Sequence, residues 1–158
     1  MAEASQRIVK VVLDERSVVR RNPDIEHERS VALFDLLEEN SFAPAGGLAG
    51  PFHLSIGLEE SRLVLDIRST AEEPLDRIQI PLQPFRGIIR DYFLVCESYY
   101  AAIKTASLSR IEAIDMGRRS LHNEGSELLR QRLQEKVALD LDTARRLFTL
   151  ICVLHIRG

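Results

Sequence analysis

A chain of 158 residues with a formal net charge of -3 and four histidines is the length of one ordinary domain, and such a domain buries roughly 70% of the surface its unfolded form exposes. The mixed, slightly acidic charge argues against a nucleic-acid binder driven by phosphate neutralisation, and no apolar run approaches the roughly 18 residues that a membrane span requires. The N-terminus MAEASQR lacks the apolar core of a secretion signal, and Cys96 and Cys152 each lie in an apolar helical run, so they read as buried thiols of a cytoplasmic protein.

In chain order, Ile8 to Leu13 (IVKVVL) is β-branched and almost wholly apolar, which predicts a strand interior to a sheet. The pair Arg20 and Arg21, like Arg118 and Arg119 or Arg145 and Arg146, has acids nearby and reads as surface ion pairing. Asn22, Pro23 and Asp24 supply an N-cap, a first-turn proline and an acid, and so open a helix running to about Glu39. That helix has an apolar face of Ile25, Ala32, Leu33, Leu36 and Leu37, with Arg29 among them, and an acidic stripe of Asp24, Glu28, Asp35 and Glu39. The Gly- and Pro-rich stretch 41–51 reads as a flexible surface loop. It lacks the Lys-Ser/Thr of a phosphate loop and the glycine spacing of a dinucleotide fold, so no cofactor is expected there.

Three runs then alternate with period 2: Phe52, Leu54, Ile56, Leu58; Leu63, Leu65, Ile67; and Ile78, Ile80, Leu82. They predict an antiparallel meander with one apolar face, the polar face showing His53, Ser55, Asp66, Arg68, Arg77 and Gln79. Pro81 cannot donate to a ladder, so the last strand belongs at an edge. The rest is helical. Pro84 to Thr105 carries a stripe of Phe85, Ile88, Ile89, Tyr92, Cys96, Tyr99 and Ile103. Ser109 with Glu112 has capping-box spacing and opens a helix to about Val137, with Gly125 a candidate break. Asp142 caps a last helix, apolar nearly all round from Leu147 to Ile156 and so buried in the domain or in a dimer. Strands and helices are segregated, which gives an α+β fold: an N-terminal strand plus a three-stranded meander, mostly antiparallel, packed against about four helices in a single domain, 1–158.

The unusual stretch is Ile111 to Leu129, IEAIDMGRRSLHNEGSELL. On one helix at 100° per residue, Asp115, Arg118 and His122 share a face with Ile111, Ile114, Leu121, Leu128 and Leu129. Burying an acid, a guanidinium and an imidazole costs several kcal/mol unless they pair. The leading reading is a polar cluster joining helices, in which Asp115, Arg118 and His122, with Asn123 and Glu124 beside them, meet Glu28, Asp35 or Arg29 of the first helix. Carboxylates there would favour protonation of His122.

Two chemical alternatives use the same residues. His122 in HNEGS loosely resembles the phosphoacceptor histidine of phosphotransfer helices, although its glycine comes one residue early and the intervening lysine is absent. A small metal-dependent enzyme would draw ligands from His27, Glu28, His53, Glu97, Asp115, His122, Glu124 and His155, yet no H-x-x-x-H or C-x-x-C spacing occurs and no metal is expected. Ser120 and Ser126 are not in a nucleophile elbow, and neither cysteine has an evident base.

The blocks RRNPDIEHERSVALFDLLEENSFAP, DYFLVCESYY, IEAIDMGRRSLHNEGSELL and DTARRLFTLICVLHIRG together closely resemble an uncharacterised family of small bacterial proteins of about this length. The departures are confined to the Gly-rich loop and the strand connections. The resemblance implies a stand-alone cytoplasmic bacterial protein and transfers no catalytic residue. The functional expectation is a non-catalytic cytosolic interaction or regulatory protein, binding itself as a homo-oligomer through surplus apolar helix surface, or binding another protein.

Overall fold

The computed structural model describes residues 5–14 and 23–155. The Arg20 and Arg21 pair, the Asn22 cap and Ile156 lie outside the described residues. In order, the elements are β1 (Ile8–Leu13), α1 (Pro23–Glu38), β2 (Phe42–Pro44), β3 (Phe52–Glu59), β4 (Arg62–Arg68), β5 (Pro74–Pro81), α2 (Gln83–Thr105), α3 (Leu108–Leu133), β6 (Val137–Leu139) and α4 (Leu141–His155). This is an α+β fold. A four-stranded sheet in the order β1-β3-β4-β5 is antiparallel except for the parallel β1–β3 pair, and β2 and β6 form a separate antiparallel ribbon.

The meander follows the period-2 pattern. Phe52, Leu54, Ile56, Leu63, Leu65, Ile67, Ile78 and Ile80 turn inward and are buried, while on the outer face Arg77 bridges Glu59 (2.8 Å) and Asp66 (3.4 Å). Pro74 and Pro81 both fall on β5, an edge strand, where a missing N–H is tolerated. The fourth helix lies at the centre, against α1, α3 and β3, with Leu147, Phe148, Leu150, Ile151 and Cys152 buried. Its all-round apolar surface is therefore consumed within one chain, and the surplus that pointed to an oligomer is smaller than its sequence implies.

Several local expectations are corrected. The first strand is an edge strand, not an interior one, with Val9 and Val12 exposed. Part of its open edge is closed by a side chain: Asn40 Oδ1 accepts from the Ile8 N–H (2.7 Å), and Nδ2 donates to Ile8 O (2.9 Å) and Leu36 O (2.7 Å). The 41–51 stretch begins with β2, whose pairing to β6 replaces the expected last turn of α3; that helix ends at Leu133, not Val137. Gly46 and Gly47 turn the chain out of β2 with φ of 92° and 72°, which glycine adopts without steric cost. The N-cap of α3 is Ser107, which accepts from Arg110 N, rather than Ser109. At α4, Asp140 Oδ1 accepts from Thr143 N at 2.9 Å, so Asp140 caps and Asp142 sits in the first turn.

Gly125 does not break α3. The helix is continuous because the glycine admits Phe148 of α4: a Cβ there would stand 2.1 Å from Phe148 Cζ. Close approach of α4 at this point sets the distance between the two helices that carry the candidate site.

Candidate functional site

Asp115, Arg118 and His122 occur at i, i+3 and i+7 of α3, one face of one helix. The structure turns that face toward α1, α2 and α4. Asp115 is held first by its own helix: Arg118 donates from Nε (3.0 Å) and Nη2 (2.7 Å) to Oδ1, and Arg119 Nη2 reaches Oδ2 at 2.7 Å. The hydrogen bonds from Arg118 keep the Asp115 carboxyl below its ordinary range, against the opposing effect of burial. Burial is the largest single influence and disfavours charge on Arg118, but the Asp115 hydrogen bonds together with the fields of Tyr92, Asp115 and Glu28 outweigh it and hold the guanidinium above its ordinary value.

The link between helices runs mainly through tyrosines, and the Arg–carboxylate bridge that the sequence led us to expect is present beside them as a longer ion pair. Glu28 of α1 accepts from Tyr100 OH at 2.7 Å and from Tyr92 OH at 3.4 Å, both on α2, whereas Arg118 Nη1 stands 3.9 Å away. The guanidinium instead lies over the Tyr99 ring, 4.8 Å from its centroid, a cation–π contact. Burial first, and the Glu28 carboxylate second, raise the ionisation of both Tyr92 and Tyr100, so both remain donors.

His122 is neutral, not protonated. Its Nε2 lies 2.7 Å from Thr149 Oγ1, and the Thr149 hydroxyl donates in turn to Arg145 O at 3.2 Å, which assigns the imidazole proton to Nε2. The ring sits between Tyr92 (5.4 Å) and Phe148 (5.3 Å). Ser126 donates to the His122 carbonyl at 2.6 Å. Burial, followed by the fields of Arg145 and Arg118, brings His122 down to about 4. The charges that act on the imidazole are guanidiniums rather than the expected carboxylates.

Around this cluster α1, α3 and α4 leave a groove of about 420 Å³. One wall carries His27, Glu28, Val31 and Asp35 of α1, and the other Arg145, Arg146 and Thr149 of α4, with Arg118 and His122 at the base. Arg145 is half-buried and makes no ion pair among the described residues. The sequence candidates thus separate. Glu28, Asp35, Asp115, Arg118 and His122 are brought together, whereas Arg29 is half-buried on α1 and does not line the groove. Asn123 and Glu124 are exposed elsewhere on α3, and Glu124 lines a different groove against α2 and β6. No group of three or more His, Cys, Asp or Glu placed to hold a metal occurs among the described residues.

Sequence reasoning missed Tyr100, Thr149 and Arg145, and read Tyr92 and Tyr99 as core. The overlooked signal was the phenol: a buried Tyr O–H requires an acceptor, and the nearest unexplained acid was Glu28. Thr149, a lone hydroxyl inside the apolar run of α4, was the second. The thiols are unreactive by environment, burial pushing Cys96 up to about 11 and Cys152 well above its ordinary value.

Fold and site together define a small α+β protein whose helices are joined by a carboxylate–tyrosine–guanidinium network beside a charged groove. The chain belongs to the uncharacterised protein family UPF0262, whose model matches residues 5–157. It is 60% identical over 153 residues to a UPF0262 protein of Paramagnetospirillum magneticum, covering 97% of this chain and 98% of the relative. Likewise it is 57% identical over 160 residues to one of Rhizobium leguminosarum, covering both chains entirely, and 54% identical over 154 residues to one of Rhodospirillum rubrum, covering 98% and 95%. No solved structure matches. Among the described residues, no helix is long and apolar enough to cross a membrane.

Proposed function

We propose that the protein is a non-catalytic interaction or regulatory protein of the cytoplasm, and that the groove between α1 and α4 is its recognition site for a protein partner. The carrying observation is the half-buried Arg145, without an ion pair among the described residues, facing a wall that exposes Val31 between Glu28 and Asp35. His27 and Val31 stand one turn apart on the α1 wall, and Val31 is 43% exposed. An exposed apolar side chain opposite an arginine is a composition that interfaces favour. The acids Glu28 and Asp35 opposite Arg145 and Arg146 favour a segment that carries charges of both signs.

The same geometry weighs against phosphotransfer through His122. A phosphoacceptor nitrogen must be approached in line by the donor phosphate, and Nε2 is occupied by Thr149 while two aromatic rings flank the imidazole. A photo-crosslinking amino acid at position 31, in the protein expressed in its own bacterial cytoplasm, tests the proposal. A discrete crosslinked partner that Arg145→Glu removes, without loss of fold, is expected. Crosslinking indifferent to Arg145→Glu would count against the groove. Acid-labile phosphate on His122 after incubation with phosphodonors would restore the phosphotransfer alternative. Homo-oligomer formation through the same face appears as a self-crosslink and as concentration-dependent sedimentation.

A further inference from the structure

Gly117 and Gly125 both lie within α3, and the chain itself accounts for only one of them. Gly125 admits Phe148, whereas a Cβ at Gly117 would meet nothing within 4 Å. Gly117 is exposed in the middle of a 26-residue helix, where glycine weakens the helix relative to alanine. What such a position admits is a close approach from outside the chain. Around it, Arg110, Ile114, Gly117, Leu121, Glu124 and Leu128 follow at alternating intervals of four and three, the seam spacing of paired helices, and fall within an arc of about 80°. Ile114, Leu121 and Leu128 are half-buried; Arg110, Gly117 and Glu124 are exposed. On α2, Ser98 and Ala101 share a groove with Arg110 and Ile114, and Leu94, one turn before Ser98, is 56% exposed. This face of α3 lies about 100° or more round the helix from Arg118 and His122, so it is separate from the α1–α4 groove.

We propose that this face pairs with the same face of a second copy of the chain, the two α3 helices running antiparallel and crossing at Gly117. The positions are self-complementary about that glycine. Arg110 and Glu124 each lie seven residues from it, about 10 Å along the axis, so a two-fold axis at Gly117 sets Arg110 of each copy against Glu124 of the other. Neither residue makes an ion pair among the described residues. Ala113 and Leu121, each four residues from the axis, bring a small side chain against a large one, and Ile114 and Ser120, each three away, do the same. Parallel pairing would instead oppose arginine to arginine and glutamate to glutamate. A different partner would have no need of charges placed symmetrically about one residue. From Arg110 to Leu128 the face is roughly 27 Å long and, two helices wide, about 20 Å across. That is on the order of the 800 Å² that each partner of a specific interface buries, which suits a reversible dimer rather than an obligate one.

Sedimentation equilibrium of the full chain from about 1 µM to 1 mM tests this, with a dimer in the micromolar range expected. Gly117→Arg, melted below the dissociation constant, unfolds at or above the temperature of the parent, because arginine is the better helix former at an open position. It nevertheless weakens the dimer by roughly tenfold or more, since two guanidiniums then meet at the axis. Arg110→Glu turns two attractions into two repulsions and weakens the dimer by about tenfold. Combining Arg110→Glu with Glu124→Arg restores it to within about threefold of the parent. A chain that stays monomeric over the whole range, a dimer indifferent to Gly117→Arg, or a charge exchange that restores nothing each overturns the proposal.

Discussion

Replacing Gly125 with alanine separates two accounts of α3 by sign. If the glycine were a solvent-facing weak point of the helix, alanine would stabilise the protein by about 0.5–1 kcal/mol through propensity alone. In the structure the added methyl would lie 2.1 Å from Phe148 Cζ, 2.4 Å from Cε1 and 2.6 Å from Cε2. The ring must retreat by more than an ångström to reach ordinary contact, yet it is wholly buried, with Tyr92 6.3 Å and His122 5.3 Å away between centroids. Overpacking of this kind costs typically 1–3 kcal/mol, and a contact of 2.1 Å with a buried ring belongs in the upper half of that range, so subtracting the propensity gain leaves a net loss of about 1–2.5 kcal/mol. Urea unfolding followed by far-UV circular dichroism reads it as a lower midpoint at unchanged slope. A midpoint equal to or above that of the parent protein would refute the close packing of α3 on α4.

The remaining expectations concern the network and the sheet edge. His122 has its folded-state value lowered to about 4 from an ordinary 6.5, so the unfolded chain binds the proton first as pH falls. The stability from keeping this imidazole neutral is complete above the ordinary value, and is lost progressively between about 6.5 and 4, on the order of 3 kcal/mol. Stability measured across that window should fall with pH in the parent and stay flat in His122→Gln. Asp115, lowered by Arg118, loses its contribution in the same direction but only at more acidic pH. Arg118→Ala should cost about 1–2 kcal/mol, between the values for exposed and buried pairs, because the Arg118 side chain is 25% exposed and the Asp115 side chain 15%; a loss near zero in chemical denaturation would mean a solvated pair. Asn40→Ala leaves the Ile8 N–H and C=O unpaired and should cost about 2–3 kcal/mol, with faster exchange of the Ile8 amide; unchanged exchange there would dismiss Asn40 as the cap of β1.

Local pattern alone determined the meander, the proline-bearing edge, four helices and the burial of α4, since side-chain periodicity reports which face is covered whatever covers it. It also singled out Asp115, Arg118 and His122, because charge on an apolar stripe is visible without a partner. Tertiary structure decided the rest. The β2–β6 ribbon joins two three-residue segments far apart in the chain, too short for any local period to register. The parallel pairing that puts β1 at an edge depends on the crossover through α1, and is invisible in IVKVVL. Most of all, the protonation state and partners of the cluster came from other helices: two phenols of α2 hold Glu28 more closely than Arg118 does, and burial, with the field of Arg145 of α4 added to it, keeps His122 neutral where a charge was expected. A sequence shows which groups need satisfying. Which neighbours satisfy them, and so whether Ile111 to Leu129 frames a binding groove or a catalytic site, depends on the packing of α3 against three other helices, set at one point by the close contact of Gly125 with Phe148.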